Sequence, residues 1–399
     1  MIPRPSPNTQ AILLLTAHLS LGERPGPPPG PTPLTLSEYN RLARFLRDQK
    51  RQPADLLGTE AAAILERSPD AATDPGRTAE LLARGVELAQ AVDRWYARSL
   101  WILSRADAQY PRRLKARLKE DAPLILYGCG EAALLESGGL AVVGSRDADP
   151  AGLEEADRVG QLAARASITI VSGGAKGIDR AAMSAALTAG GHAIGVLSDS
   201  LERAALARDN RQPLIDGQLL LLSPYHPSAP FHVGHAMQRN KFIYALADAS
   251  LIIAADLETG GTWAGAIEQL KRYHFGPLYV RQTDHPGNTA LITRGATPWP
   301  TPPDPESLVA TLTQAPAPQV PQQETLPFLT APVQAETPAN QLWTATRDIL
   351  RRVLAEPHTE ASLAEVLQVG KVQAKAWLAR LAEEGGVEKL SKPVRYRVR

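Results

Sequence analysis

Residues 171–179 read VSGGAKGID. A β-branched run closes on three glycines with a lysine among them, and a helical pattern follows. Backbone N–H groups freed by a glycine turn, the positive end of a helix and one ammonium group make a trap for an anion such as phosphate. Two other stretches share this build: GSRDADPAG (144–152) follows the apolar run LAVVG (140–144), and DLETGGTWAG (256–265) follows LIIAA (251–255). Singly, a glycine turn after a strand is more often structural than functional. Three at strand ends, two with cations, point to an anion-binding crevice. Its candidates are Gly144, Ser145 and Arg146; Ser172, Gly173, Gly174, Lys176 and Gly177; and Thr259, Gly260 and Gly261. A fourth stretch, MQRNKFI (237–243), places Arg239, Asn240 and Lys241 at the start of an apolar helix, where cations meet phosphate and an asparagine caps or reads a base. A solvated first helical turn is the plainer alternative. Just upstream, PYHPSAPFHVGH (224–235) brings Tyr225, Phe231 and three histidines. Rings beside arginines suit an unpaired nucleic-acid strand, because bases stack while phosphates pair. The same rings could equally pack the loop down.

Other chemistries fit less well. No G-x-G-x-x-G follows LAVVG, no acid stands about twenty residues on to hold a ribose, and G-x-x-x-x-G-K-[ST] is absent. No cofactor is therefore expected. No carboxylate pair, nucleophile–base pair or metal cluster stands out, and the histidines lack ligand spacing, so no catalytic residue and no metal ligand is expected. The 399 residues carry a net charge of +1, so a nucleic-acid binder must gather its cations locally. The single cysteine, Cys129, excludes an internal disulfide and fits a reducing cytoplasm. AILLL (11–15) is too short for a membrane span and lacks the flanks of a signal peptide.

The elements that must position these loops follow from hydrophobic periodicity. LAVVG, ITIVS (168–172), HAIGVLS (192–198), LLLLS (219–223), LIIAA and PLYV (277–280) alternate with helical patterns. Near-continuous apolar runs mean burial on both faces, hence a mostly parallel sheet with helices above and below. The fold class is α/β, a Rossmann-like doubly wound sheet whose ligand lies at the C-terminal strand ends. Residues 1–110 read as an all-α module. It holds a helix capped near Asn8 or Thr9, a helix in LSEYNRLARFLRDQ (36–49) capped by Ser37, and another over roughly 77–97. Residues 297–340, rich in proline, read as a linker. Residues 341–399 read as a helix, a helix-turn-helix and a hairpin, which together make a winged helix, with Lys371, Gln373 and Lys375 opening its recognition-helix position. Trp377, Leu378 and Leu381 are expected to face its core.

In this order and spacing, Tyr110-Pro111 with LKARLKEDAPLILYG (114–128), VVGSR (142–146), VSGGAKGID, RNK (239–241), TGGT (259–262) and GNTALITRGA (287–296) resemble the DNA-processing protein A (DprA) family of bacteria. The resemblance covers roughly 110–296 well and the C-terminal unit loosely. It implies a SAM-like module at 1–110, a Rossmann-like DNA-binding domain at 111–296 that forms a homodimer, a linker at 297–340 and a winged helix at 341–399. It further implies a non-catalytic, cytoplasmic mediator without membrane attachment. Such a mediator protects incoming single-stranded DNA and loads the RecA recombinase in natural transformation and recombination. The winged helix is open between an auxiliary duplex-DNA contact and protein docking. The chain departs from the family at Met183, where a histidine is usual, at VLSDSLERAAL (196–206), at SPY (223–225), where a glutamate is usual, and at Ala236, where an aromatic is often found. Two alternatives remain. One is a phosphoribohydrolase-like enzyme: TGGTWAGAIE (259–268) resembles a loop of that family and Glu268 would be its acid, but the proline of that loop is missing. The other is a nucleotide-sensing Rossmann protein with no role on DNA.

Overall fold

Apolar runs buried on both faces become one nine-stranded sheet: β1 (Trp101–Ser104), β2 (Ile125–Gly130), β3 (Leu140–Gly144), β4 (Ile170–Ser172), β5 (Ala193–Val196), β6 (Leu219–Ser223), β7 (Ala249–Ala254), β8 (Leu278–Val280) and β9 (Thr297–Pro298). The structure, a computed structural model, describes residues 4–19, 30–68, 74–313, 346–347, 350, 353–354, 357–367, 369–383, 387–390 and 395–398. The strand order is β1-β2-β6-β5-β4-β3-β7-β8-β9. Pairing is parallel from β6 through β9, and β2 runs antiparallel to both β1 and β6. The chain leaves β3 toward β4 on one side and returns to β7 on the other, so the strand order reverses between β3 and β7. In open α/β sheets that is where a crevice opens.

Side chains alternate across the sheet as the pleat requires. Leu140 and Val142 enter one core together with the helices Pro150–Arg165 and Ile178–Thr188. Ala141 and Val143 enter the other with Arg112–Leu118, Val233–Leu246, Gly260–Glu268 and Pro286–Thr293. The antiparallel edge, β1 and β2, was not expected from the sequence, because WILS follows a helix directly and ILYGCG is broken by glycines. Gly128 is required there, since a Cβ would lie 2.2 Å from the Trp101 ring.

Among the described residues, the helices before residue 110 close no core of their own. Ile12, Leu13, Leu42 and Trp95 share the first core with Ile102, Ile125 and Tyr127 of the sheet. Trp95 meets Tyr127 edge-on at 5.1 Å and His226 at 5.6 Å. The caps differ from those expected: Ser6 caps Pro7–Thr16, and Thr35 with Glu38 forms a capping box on Leu36–Asp48. The helix expected over 77–97 is two, Pro75–Leu82 and Gly85–Tyr96. Residues 297–313 do not behave as linker, because β9 joins the sheet, Trp299 is buried and Leu308 of the helix Pro305–Thr313 enters the core. The remainder of the expected linker, 314–340, lies outside the described residues. The chain divides into two compact units, residues 1–322 and 323–399. Among the described residues no helix is long and apolar enough to cross a membrane.

The second unit holds the helices Glu360–Val366 and Lys371–Glu383 and an antiparallel hairpin, β10 (Val387–Leu390) with β11 (Arg395–Val398). Leu363, Leu378, Leu381, Val387 and Tyr396 form its core, with Trp377 packed against it as its spacing predicts. Gln373 and Lys375 are exposed. A bridge from His358 to Tyr396 ties the segment before the first helix to the hairpin.

Candidate nucleic-acid interface

The three glycine turns lie at the C-terminal ends of β3, β4 and β7, which are neighbours in the sheet. Ser145 donates its N–H to the Ala254 carbonyl at 2.9 Å, stitching the loop after β3 to β7. Asp149 caps the following helix by accepting the Gly152 N–H at 2.8 Å, with Pro150 in the first turn. The loop after β4 closes against the loop after β3 at Gly177. Its φ is +89°, and a Cβ there would lie 2.5 Å from the Ser145 carbonyl oxygen. Only glycine permits that approach.

Asp179, in the first turn of Ile178–Thr188, organises this junction. Its carboxylate accepts the Gly173 N–H at 3.1 Å, and the amides of Gly144 and Ala175 also point to it. Burial pushes the carboxyl up from its usual range, while Arg239 and these amides pull against the rise. Arg239 is itself buried, its Nη1 3.9 Å from Asp179 Oδ2. Its guanidinium lies so close over Gly173 that a Cβ there would sit 1.4 Å from Nη1.

Several expected site residues therefore work inside the fold. Ser172 is buried and donates its hydroxyl to the Val142 carbonyl at 2.5 Å, joining β4 to β3. Asn240 donates Nδ2 to the Gly261 carbonyl at 2.8 Å and anchors the turn after β7. Arg239 braces Gly173. Lys241, the third member of the triplet, is not brought to the glycine turns. It lies against Phe242, with Nζ 5.3 Å from the ring centroid, and lines a separate cavity.

What faces solvent at the strand ends is a narrower set. Arg146 is exposed and stands over the half-exposed ring of Phe231, 5.1 Å from its centroid. Lys176 is exposed and 3.9 Å from the equally exposed Asp147, a contact that water screens. The amides of Gly174, Lys176 and Gly177 donate to no acceptor among the described residues. Thr259 and Gly260 are exposed, Gly260 with φ +77°. Arg180, which sequence reasoning passed over, shares a groove with Arg146, Lys176, Leu153 and Ser184. Its spacing of four from Lys176 was the available signal. Tyr225 does not face the glycine turns: it is tied to the start of the helix Val233–Leu246, stacked on His235 at 3.9 Å with its hydroxyl donating to the His235 carbonyl, and it lines the same separate cavity as Lys241. Glu268 closes the helix Gly260–Glu268 and pairs with Arg272 at 3.5 Å, away from the glycine turn. Among the described residues no group of three or more His, Cys, Asp or Glu is placed to hold a metal.

A family model described as DNA recombination-mediator protein A matches residues 101–307. The chain is 36% identical over 141 residues to the DNA processing protein DprA of Streptococcus pneumoniae, covering 35% of this chain and 50% of that protein. It is 29% identical over 194 residues to the DNA processing protein DprA of Bacillus subtilis, covering 47% of this chain and 64% of that protein. The chain thus spans half of the first of these relatives and just under two thirds of the second. The X-ray structure of DNA processing protein A from Streptococcus pneumoniae superposes with a TM-score of 0.55 at 23% identity, covering 69% of this chain and 93% of that one, a likeness of fold. The matched segment, more than half of the 399 residues, contains every strand of the sheet and all three glycine turns, and the protein belongs to the DNA recombination-mediator protein A family.

Proposed function

We propose that the chain binds single-stranded DNA in the crevice at the ends of β3, β4 and β7. Phosphates lie along Arg146, Lys176 and Arg180 and on the free amides of Gly174, Lys176 and Gly177. The observation that carries this reading is the coincidence of exposed cations and unpaired amides at the point where the strand order reverses. Phe231, half exposed beside Arg146, supplies a face on which a base stacks. Backbone and cation contacts of this kind read no sequence, which suits a mediator that must hold any strand. Ser172, Gly173, Arg239 and Asn240 position the loops rather than touch the strand. Gly144, Ser145, Thr259, Gly260 and Gly261 shape the crevice floor.

The wider reading follows the family. The protein acts in the cytoplasm as a non-catalytic homodimer, protects incoming single strands and passes them to the RecA recombinase during natural transformation and recombination. Two crevices on one dimer raise the effective concentration for a flexible strand. Residues 1–110 act as the SAM-like module of the family and the sheet as its Rossmann-like domain. The C-terminal unit is a winged helix whose exposed Gln373 and Lys375 make an auxiliary duplex contact. Anisotropy of labelled oligo-dT titrated with the full chain, over a range of salt, tests the central claim. Binding that weakens steeply with salt, and less steeply once Arg146 and Lys176 are alanine, is expected. A salt slope unmoved by both changes would overturn it.

A further inference from the structure

A second site lies at the C-terminal end of β6 and the start of β2, beside residues of the N-terminal helices. A cavity of about 1000 Å³ opens there, within the size range of small-molecule pockets. Its walls mix Leu34, Leu124 and Phe242 with the ring of Tyr225. Two cations in its lining, Arg94 and Lys241, have side chains with no carboxylate partner among the described residues, whereas Arg98 is held by Glu202 at 3.6 Å. An unneutralised pair of cations beside an apolar wall suits a ligand with an anionic end and a flat apolar body.

The polar atoms narrow that class. His226 accepts the Ser228 N–H on Nδ1 at 3.2 Å, so the neutral ring carries its proton on Nε2. Burial keeps the ring neutral by pulling its pKa down to about 4. That Nε2 is buried and has no hydrogen-bond partner among the described residues, and neither has Oε1 of Glu202. Both atoms lie just behind the cavity wall, without accessible surface of their own, so one donor and one acceptor stand unmatched there, each a loss of about 1–3 kcal/mol while it stays unpaired. A nucleobase edge offers the complementary acceptor and donor side by side.

We infer that this cavity binds a nucleotide, with its base against Tyr225 and Phe242, its phosphate on Arg94 and Lys241, and His226 and Glu202 turning into the cavity to pair with the base edge. The same chemistry comes from a free nucleotide or from the terminal nucleotide of a single strand. Only the second source rests on the reading of the crevice given above.

Calorimetric titration of dAMP into the full chain tests the inference. One site per chain is expected, weakened tenfold or more by Arg94→Glu and by Glu202→Gln but not by Arg47→Glu, a charge control at an exposed position. Displacement of dAMP by 5′-phosphorylated oligo-dT assigns the site to a strand end, and failure to displace assigns it to a free nucleotide. Absence of saturable dAMP binding, or equal affinity in all three variants with melting temperatures intact, overturns the inference. If oligo-dT does not bind while dAMP binds in the expected pattern, the crevice reading fails and this site stands.

Discussion

Two stretches of the sheet edge at the C-terminal ends of the parallel strands are built differently. At β3, β4 and β7 the polar surface is mostly backbone, shaped by glycines whose missing side chains let one loop close on the next. At β6 and β2 it is side chains, drawn from helices and loops between residues 16 and 242 and gathered only by the fold. A surface made of backbone is broken by adding an atom, and a surface made of side chains by changing a charge or a proton. Perturbations of the two kinds should therefore separate cleanly, and each of the following sharpens or breaks that contrast.

The largest effect is expected from Gly177→Ala. A left-handed φ with a Cβ set 2.5 Å from the Ser145 oxygen combines backbone strain with overpacking, about 4 kcal/mol together. Denaturant unfolding measures the loss, and oligo-dT affinity in the surviving folded fraction falls more than tenfold while dAMP binding persists. Acid comes next, and it acts on the β6 and β2 stretch. The unfolded chain takes up a proton at the His226 position near pH 6.5, and the folded chain refuses it until about 4. Stability is therefore full above pH 6.5 and falls as the pH drops toward 4, by up to about 3 kcal/mol, because one pKa unit is about 1.4 kcal/mol. Unfolding curves across that window, flattened in His226→Phe, check it. A variant as acid-sensitive as the parent would remove His226 from the account.

Replacing Arg146 and Lys176 together lowers the salt slope of oligo-dT binding by about two charges and weakens binding roughly tenfold at moderate salt. Melting temperature is unaffected, since both side chains are exposed. The smallest effect is that of Asn240→Ala. Losing the bond to the Gly261 carbonyl costs about 1 kcal/mol of stability, and it loosens the turn after β7 without touching the cavity.

Legibility in the sequence follows the same contrast. The six parallel runs from LAVVG to PLYV could be read because strands buried on both faces leave unbroken apolar stretches, and the glycine turns because backbone surfaces need glycine at fixed positions. The antiparallel edge could not, since Gly128 and Gly130 interrupt β2 and its pairing partner β6 lies far along the chain. RNK reads as three surface cations or caps, yet only contact with Gly173 decides that Arg239 is buried, and that contact spans sixty-six residues of chain. The dAMP cavity left no spacing at all: Arg94, Glu202 and His226 belong to three unrelated stretches. Among the aromatics, nothing in the sequence distinguished Phe231, which stays half exposed, from Tyr225, which stacks on its neighbour.

The Asp179 carboxylate carries a consequence for how fast a strand is captured. Because it already fills the nest of Gly144, Gly173 and Ala175 amides, the turn after β4 is shaped before any phosphate arrives. No loop has to order on encounter, so association needs no conformational step. The observed rate of oligo-dT capture then rises linearly with protein concentration without reaching a plateau in stopped-flow, and its slope responds to ionic strength and solvent viscosity as a steered diffusional encounter does. Asp179→Asn, which keeps the shape but halves the grip on those amides, converts that line into a curve that saturates.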